Sequence, residues 1–120
     1  MNKILLVDDE KNIITTISLL LDNEGYEVKS AIDGLKAMDA AHEFEPDLIL
    51  LDVKIPKMNG FLVCEALKDD DKTKDIPIIF LSAKAEEEDI KKGLDLGAED
   101  YIVKPIDPDD LLKRISKYLQ

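Results

Sequence analysis

The sequence predicts an α/β domain of the doubly wound type, built on one five-stranded parallel sheet. Short apolar runs typical of strands alternate five times with longer stretches of helical periodicity, and no linker rich in Pro, Gly or Ser separates them. Acidic residues or a lysine directly follow three of the runs. Because domains of this type bind ligands at the carboxyl ends of their strands, the sequence predicts one site at that edge of the sheet.

The five strands are predicted at about 3–7, 26–30, 47–51, 76–81 and 100–103. Three of them are apolar almost throughout: Ile4-Leu5-Leu6-Val7, Leu48-Ile49-Leu50-Leu51 and Ile76-Pro77-Ile78-Ile79-Phe80-Leu81. Strands that are covered by helices on both faces have this composition, so these three are predicted to form the buried interior of the sheet.

The stretches between the strands carry helix boundaries as well as helix periodicity. Apolar residues recur at helical spacing in the first stretch: Ile13, Ile14, Ile17, Leu20 and Leu21. Gly25 and Gly97 follow the first and fourth helices, where a left-handed residue is favoured. Asp33 is the predicted N-cap of the second helix, and Asp107 with Pro108 begins the fifth. In the third helix, Cys64 is predicted to be a core residue.

Length and charge limit the class of protein. A chain of 120 residues fits one domain, taken here as residues 1–120. The net charge of −11 argues against direct contact with nucleic acid or an anionic membrane. No apolar run approaches the roughly 20 residues needed to span a bilayer, and the single cysteine agrees with a reducing compartment. We therefore expect a cytoplasmic protein with no membrane contact.

Four side chains stand directly after predicted strands. Asp8 and Asp9 follow the first strand, Asp52 follows the third, and Lys104 follows the fifth. Three carboxylates and one amine suit a divalent metal and a phosphoryl group. Taken alone, each motif has a plainer explanation: an acidic pair at a helix N-terminus, a solvated aspartate, or a surface lysine before a turn. Two further acidic runs, Asp69-Asp70-Asp71 and Glu86-Glu87-Glu88-Asp89, are expected to be solvated, the second also being open to a partner.

Four motifs in this order point to one family. They are Leu6-Val7-Asp8-Asp9-Glu10, Leu51-Asp52 followed by Pro56 and Asn59-Gly60, Leu81-Ser82-Ala83, and Lys104-Pro105. Over essentially its whole length the chain resembles the receiver domain of bacterial two-component response regulators, of the chemotaxis-regulator type. The resemblance implies a flavodoxin-like (βα)₅ sandwich with strand order 2-1-3-4-5.

The resemblance also implies the chemistry of the site. Asp52 matches the aspartate that accepts a phosphoryl group from a histidine kinase or phosphotransfer protein. Mg²⁺, with Mn²⁺ as a substitute, would be held directly by Asp9 and Asp52, by the backbone carbonyl of Lys54, and through water by Asp8. Lys104 would neutralise the phosphoryl charge, and Pro105 matches a cis-proline. The protein would be no enzyme beyond assisting its own phosphorylation and dephosphorylation.

A switch is implied as well. Ser82 matches the hydroxyl that moves toward the phosphoryl group, and Tyr101 matches the aromatic residue that turns inward with it; an ordinary edge-strand tyrosine is the alternative. The output surface would comprise the fourth helix, fifth strand and fifth helix, at about 84–119. The downstream effector is unknown, and a monomer or weak homodimer is expected.

Three other functions compete with this hypothesis. A receiver-fold module that binds proteins without phosphorylation is the strongest, because intact site residues do not prove their use. A haloacid-dehalogenase-type phosphatase needs an Asp-x-Asp signature, which Asp52-Val53-Lys54 lacks. A flavodoxin-like binder would have a phosphate loop rich in Ser, Thr and Gly after the first strand, where this chain has Asp8-Asp9-Glu10.

Overall fold

The structure is a computed structural model that describes residues 2–119, so both predicted ends of the domain, Met1 and Gln120, lie outside the described residues. Strands and helices alternate along the chain. The strands are β1 (Lys3–Val7), β2 (Glu27–Ala31), β3 (Leu48–Leu51), β4 (Ile78–Ser82) and β5 (Asp100–Val103). The helices are α1 (Lys11–Asn23), α2 (Gly34–Glu43), α3 (Gly60–Lys68), α4 (Glu87–Asp95) and α5 (Pro108–Tyr118).

The sheet has the order β2-β1-β3-β4-β5, and every neighbouring pair is parallel. This confirms the predicted doubly wound fold and the predicted strand order. The register pairs Val7 with Leu51, so the residues that follow β1 and β3 are neighbours at the same edge. Within residues 2–119, no helix combines the length and apolar character that crossing a membrane requires.

Three strands begin later than predicted: β4 by two residues, and β2 and β3 by one residue each. The later starts of β4 and β2 have local reasons. β4 begins at Ile78 because the N–H of Ile76 donates to the carbonyl of Thr73 at 3.1 Å and Pro77 has no N–H to donate. β2 begins at Glu27 because the N–H of Tyr26 donates to the carbonyl of Leu21 and closes the end of α1. Each strand begins where its backbone leaves a turn, a boundary that apolar composition alone does not mark.

Alternate residues of the central strands pack into two layers, one on each face of the sheet. One layer contains Leu5, Val7, Ile49, Leu51, Ile78, Phe80 and Tyr101, with Cys64 of α3. The other contains Ile4, Leu6, Leu48, Leu50, Ile79, Leu81 and Ile102, with residues of α1 and α5. Every residue of β3 and β4 is buried, which explains their continuous apolar composition. Burial raises the pKa of the Cys64 thiol to about 11, which fits its predicted place in the core.

Side-chain caps begin three of the helices. Asp33 accepts from the N–H of Lys36 at 2.8 Å, Asn59 from Leu62 at 3.0 Å, and Asp107 from Asp110 at 3.1 Å. Gly25 and Gly97 have φ angles of +89° and +106°, which confirms their predicted roles after α1 and α4. By contrast, the N-cap of α4, Glu86, makes no side-chain hydrogen bond to the helix.

Gly60 lets α3 begin directly against the backbone of Asp52. A Cβ atom at this position would collide with the Asp52 carbonyl and lie 2.9 Å from the Cα atom of Val53. The N–H of Gly60 also donates to the Val53 carbonyl at 2.8 Å. The first turn of α3 thus supports the loop that carries Asp52.

We expect Gly60→Ala to lower the free energy of unfolding by about 1–3 kcal/mol, because the backbone must move to admit the methyl group. Leu62→Ala is the matched control, since Leu62 lies on the same turn with 48% of its surface exposed. That control should stay within about 0.5 kcal/mol of the wild type in urea unfolding. Equal stability of Gly60→Ala and the wild type would contradict the close approach described here.

Candidate functional site

The carboxyl ends of β1 and β3 bring two aspartates together through backbone hydrogen bonds. The N–H of Asp52 donates to the carbonyl of Val7 at 3.0 Å, and the N–H of Asp8 donates to the carbonyl of Ala31 at 3.1 Å. Each bond continues the strand pairing by one residue. Asp8 and Asp52 are therefore held by the sheet itself rather than by a free loop.

Three carboxylates form one cluster at this edge. Oxygens of Asp8, Asp9 and Asp52 lie within 4.8 Å of one another; Asp8 and Asp52 are buried, and Asp9 is exposed. Asp52 Oδ1 accepts from the N–H of Val53 at 2.7 Å, and Asp8 Oδ1 accepts from the N–H of Glu10 at 3.0 Å. The structure thus brings the three predicted acidic residues together.

Lys104 reaches this cluster from β5. Its Nζ lies 2.8 Å from Asp8 Oδ2, 3.3 Å from Asp52 Oδ2 and 3.9 Å from Glu10 Oε1. The backbone N–H of Lys104 donates to the carbonyl of Ser82 at 2.9 Å, which ties the lysine to the end of β4. The Lys104-Pro105 peptide bond is cis, as the resemblance implied. Lys104 is thus no ordinary surface lysine.

The charges of this pocket do not balance. Burial raises the pKa of Asp52, and the nearby charge of Asp8 raises it further, whereas Lys104 lowers it only in part. Burial by itself would lower the pKa of Lys104, but the hydrogen bond to Asp8 and the charges of Asp52 and Asp8 outweigh it and raise that pKa. Three carboxylates face one ammonium group. The three carboxylates offer the hard oxygen ligands that divalent cations such as Mg²⁺ prefer. The residues present therefore fit a divalent cation.

Ser82 and Tyr101 lie beside this pocket and are joined through one residue. Ser82 is buried at the end of β4, and its Oγ accepts from the N–H of Lys84 at 3.1 Å. The Tyr101 hydroxyl donates to the carbonyl of Lys84 at 2.7 Å. Tyr101 is only 7% exposed, and its ring lies 5.6 Å from that of Phe80. The Tyr101 side chain therefore points inward.

Lys54 is the predicted site residue that is expected to act through its backbone carbonyl rather than its side chain. It follows Asp52 by two residues in an exposed part of the loop. Ligation of a metal by its backbone carbonyl stays a prediction.

The acidic runs have cationic partners that the sequence did not predict: Asp70 and Asp71 of the first run stay partly or fully exposed but form ion pairs, and Asp89 of the second run is paired and largely buried. Asp70 accepts from His42 Nε2 at 2.8 Å, and Asp89 Oδ1 lies 3.8 Å from Lys84 Nζ with its side chain only 17% exposed. Sequence reasoning missed the first pair because its partners are 28 residues apart. Sequence reasoning missed the Lys84–Asp89 pair because nothing in an acidic run indicates which of its residues will contact a lysine.

The fold and this pocket define a class: flavodoxin-like α/β domains whose carboxyl edge holds an acidic cluster and a lysine. The family model of the response regulator receiver domain matches residues 4–116. The chain belongs to this family, which works in two-component signal transduction.

Known proteins of similar sequence and structure agree with this assignment. The DNA-binding dual master transcriptional regulator RpaA of Synechocystis sp. is 41% identical over the whole chain, which covers 50% of RpaA. Chemotaxis protein CheY4 of Vibrio cholerae superposes with a TM-score of 0.92 at 36% identity, covering 99% of both chains. The receiver domain of sensor histidine kinase PA1611 of Pseudomonas aeruginosa, solved with a magnesium ion in its active site cleft, gives a TM-score of 0.91 at 30% identity, covering 98% of this chain and 97% of that one.

The chain spans about half the length of the curated relatives it matches. Some of those relatives are named as DNA-binding regulators. The prediction that no nucleic acid takes part therefore finds no support in these relatives.

We expect Lys104→Met to lower the free energy of unfolding by about 1–3 kcal/mol in the presence of a chelator, because it leaves buried carboxylates unpaired. Added Mg²⁺ should restore part of this loss, since a cation at the carboxylates replaces the missing ammonium. Lys113→Met, at an exposed position of α5, is the control and should change little. Thermal unfolding with and without Mg²⁺ measures both effects, and equal Mg²⁺ responses in the wild type and both variants would contradict the idea.

The raised pKa of Asp52 predicts how stability depends on pH. The folded protein holds this proton to a higher pH than the unfolded chain, so the ionised carboxylate costs stability above the folded pKa, and the cost disappears below the unfolded value of about 3.9. Asp52→Asn should therefore raise the melting temperature at pH 7 in chelator, with a gain that shrinks toward pH 4. Asp75→Asn, an exposed control, should show no such gain. A lower melting temperature of Asp52→Asn at pH 7 would refute this account.

Proposed function

We propose that this chain is a phosphoacceptor receiver in which Asp52 takes a phosphoryl group in a Mg²⁺-dependent reaction. The observation that supports this most directly is the position of Lys104, whose Nζ lies 3.3 Å from Asp52 Oδ2 and 2.8 Å from Asp8 Oδ2. An ammonium group at this position would neutralise part of the negative charge that a phosphoryl group adds to Asp52. Asp52 is also the aspartate at the centre of the sheet edge, between Asp8 and the end of β4.

The donor in this proposal is a phosphohistidine on a histidine kinase or phosphotransfer protein. An oxygen of the Asp52 carboxylate attacks phosphorus, the P–N bond of the donor breaks, and its electron pair returns to the imidazole, which takes up a proton. Water later attacks phosphorus, releases inorganic phosphate and regenerates the carboxylate. Phosphoryl transfer depends mainly on positioning and charge neutralisation, so the pocket needs no further covalent group.

Each site residue has one part in this scheme. Asp8, Asp9 and Asp52 would hold the metal ion, with the carbonyl of Lys54 as a further ligand. When bound, Mg²⁺ supplies positive charge to the phosphoryl oxygens. Lys104 supplies a second positive charge and orients those oxygens by donating hydrogen bonds.

The signal in this proposal is a change of surface. The Ser82 hydroxyl would donate to a phosphoryl oxygen and so leave its contact with the N–H of Lys84. Because the Tyr101 hydroxyl is bonded to the carbonyl of the same Lys84, a shift there reaches the packing of β5 and α4. The affected surface comprises α4, β5 and α5. A binding module that ignores phosphorylation has no observation in its favour, since it gives no reason for a buried and unbalanced acidic pocket.

The first test is intact-protein mass after incubation with acetyl phosphate. We expect a single phosphoryl adduct on the wild type with Mg²⁺, and none with chelator, because the carboxylate cluster repels the donor without a cation. Asp52→Asn should remain unmodified, whereas the control Asp75→Asn should be modified like the wild type. An adduct on Asp52→Asn, or one that forms equally well in chelator, would contradict the proposal.

A further inference from the structure

Lys84 contacts three parts of the structure: the end of β4, the side chain of Tyr101 on β5, and the first turn of α4. Its N–H donates to Ser82 Oγ at 3.1 Å, its carbonyl accepts from the Tyr101 hydroxyl at 2.7 Å, and its Nζ lies 3.8 Å from Asp89 Oδ1. Asp89 belongs to the first turn of α4. One residue therefore contacts both members of the proposed switch and the helix beside them.

Helix α4 is held less firmly than its neighbours. Gly93 is its one buried residue, and the N-cap residue Glu86 makes no side-chain hydrogen bond to the helix. At Gly93 the helix lies against aromatic rings, because a Cβ atom there would come within 3.0 Å of Phe80 and 3.1 Å of Tyr101. The Lys84–Asp89 ion pair connects the N-terminal turn of α4 to the loop that follows β4.

The two lysines of α4 itself have other partners. Lys91 Nζ lies 2.6 Å from Asp95, and Lys92 Nζ lies 4.8 Å from the centre of the Phe61 ring. The start of α4 carries four consecutive acidic residues, which repel one another: Glu86, Glu87, Glu88 and Asp89. Among the ion pairs of residues 2–119, Lys84 supplies the positive charge to this acidic turn.

We propose, on the basis of the proposed function, that Lys84 moves its ammonium group from Asp89 to the phosphoryl oxygens on Asp52. The Lys84–Asp89 contact is long and partly exposed, and such pairs are weak. A phosphoryl group carries about −1.5 to −2 charges and strong acceptor oxygens, so it competes well against one carboxylate. Lys84 is thereby a phosphoryl-binding residue whose release of Asp89 reports the modification to α4.

The surroundings of Tyr101 support this exchange. Burial raises the pKa of the Tyr101 hydroxyl, the Ser82 side chain offsets part of this rise, and the negative charges of Asp89 and Asp52 add to it. Both carboxylates thus act on the hydroxyl that is bonded to the Lys84 carbonyl. The exchange leaves the first turn of α4 with its acidic residues uncompensated, which changes the charge of the proposed output surface.

The exchange has a reciprocal consequence, because coupled binding equilibria act equally in both directions. A variant that frees Lys84 from Asp89 should bind a phosphoryl group more tightly, and a variant without the ammonium should bind it more weakly. Beryllofluoride, a mimic of the phosphoryl group, allows this to be measured at equilibrium with ¹⁹F NMR in Mg²⁺ buffer.

We expect Lys84→Met to weaken beryllofluoride binding about two- to fivefold and Asp89→Asn to strengthen it by a similar factor. In the Lys84→Met background, Asp89→Asn should have no further effect on beryllofluoride binding, since in this exchange Asp89 affects the phosphoryl site by holding Lys84. Lys84→Arg keeps the charge and should keep most of the affinity. The control pair is Lys91→Met and Asp95→Asn, which removes an ion pair of the same helix and should leave binding unchanged.

The outcomes separate this inference from the proposed function. If the wild type binds beryllofluoride but Lys84→Met and Asp89→Asn bind it equally well, the exchange is wrong and the phosphoacceptor function stands. An effect of Asp89→Asn that persists without Lys84 also overturns the exchange. If the folded wild type neither binds beryllofluoride nor accepts phosphoryl from acetyl phosphate with Mg²⁺, both proposals fail.

Discussion

Three carboxylates share one ammonium group at the carboxyl edge of the sheet, and this charge imbalance is the constraint on which the rest of the site depends. Asp8 and Asp52 are buried, so water screens their mutual repulsion poorly, and Lys104 compensates it only in part. A pocket of this kind costs stability while nothing is bound. The same imbalance suits the pocket to a divalent cation, because a cation supplies the positive charge that three carboxylates and one ammonium group lack.

The sheet holds the residues of this pocket in place despite the repulsion between their carboxylates. Its backbone carries the site residues, since the N–H groups of Asp8, Asp52 and Lys104 each bond to a carbonyl of a neighbouring strand or strand end. Two apolar layers bury both faces of these strands, so the backbone positions from which Asp8 and Asp52 extend cannot move apart without disturbing the core. Gly60 adds to this rigidity by packing α3 against the Asp52 backbone. Helix α4 is less constrained, since Gly93 is its one buried residue, and this suits the helix to transmit a change.

Much of the fold could be predicted from the sequence, because its signals are local. Continuous apolar runs marked β3 and β4, and the caps Asp33 and Asp107 marked helix starts, since each capping bond spans three residues. Strand boundaries were harder: Ile76 is apolar like its neighbours, yet its N–H belongs to a turn with Thr73. The convergence of Asp8, Asp9, Asp52 and Lys104 was also predictable, because parallel strands place their carboxyl ends at one edge.

The sequence by itself determined the order of strands and helices, the chemical character of the pocket and the family, since these follow from composition, spacing and motifs. Only the tertiary structure decided which charged side chains meet. The pairing of Lys84 with Asp89, of His42 with Asp70, and of Tyr101 with the Lys84 carbonyl depends on side-chain directions that periodicity does not encode. The physical reason is that such contacts arise after the backbone is in place, from the local balance of burial, charge and reach.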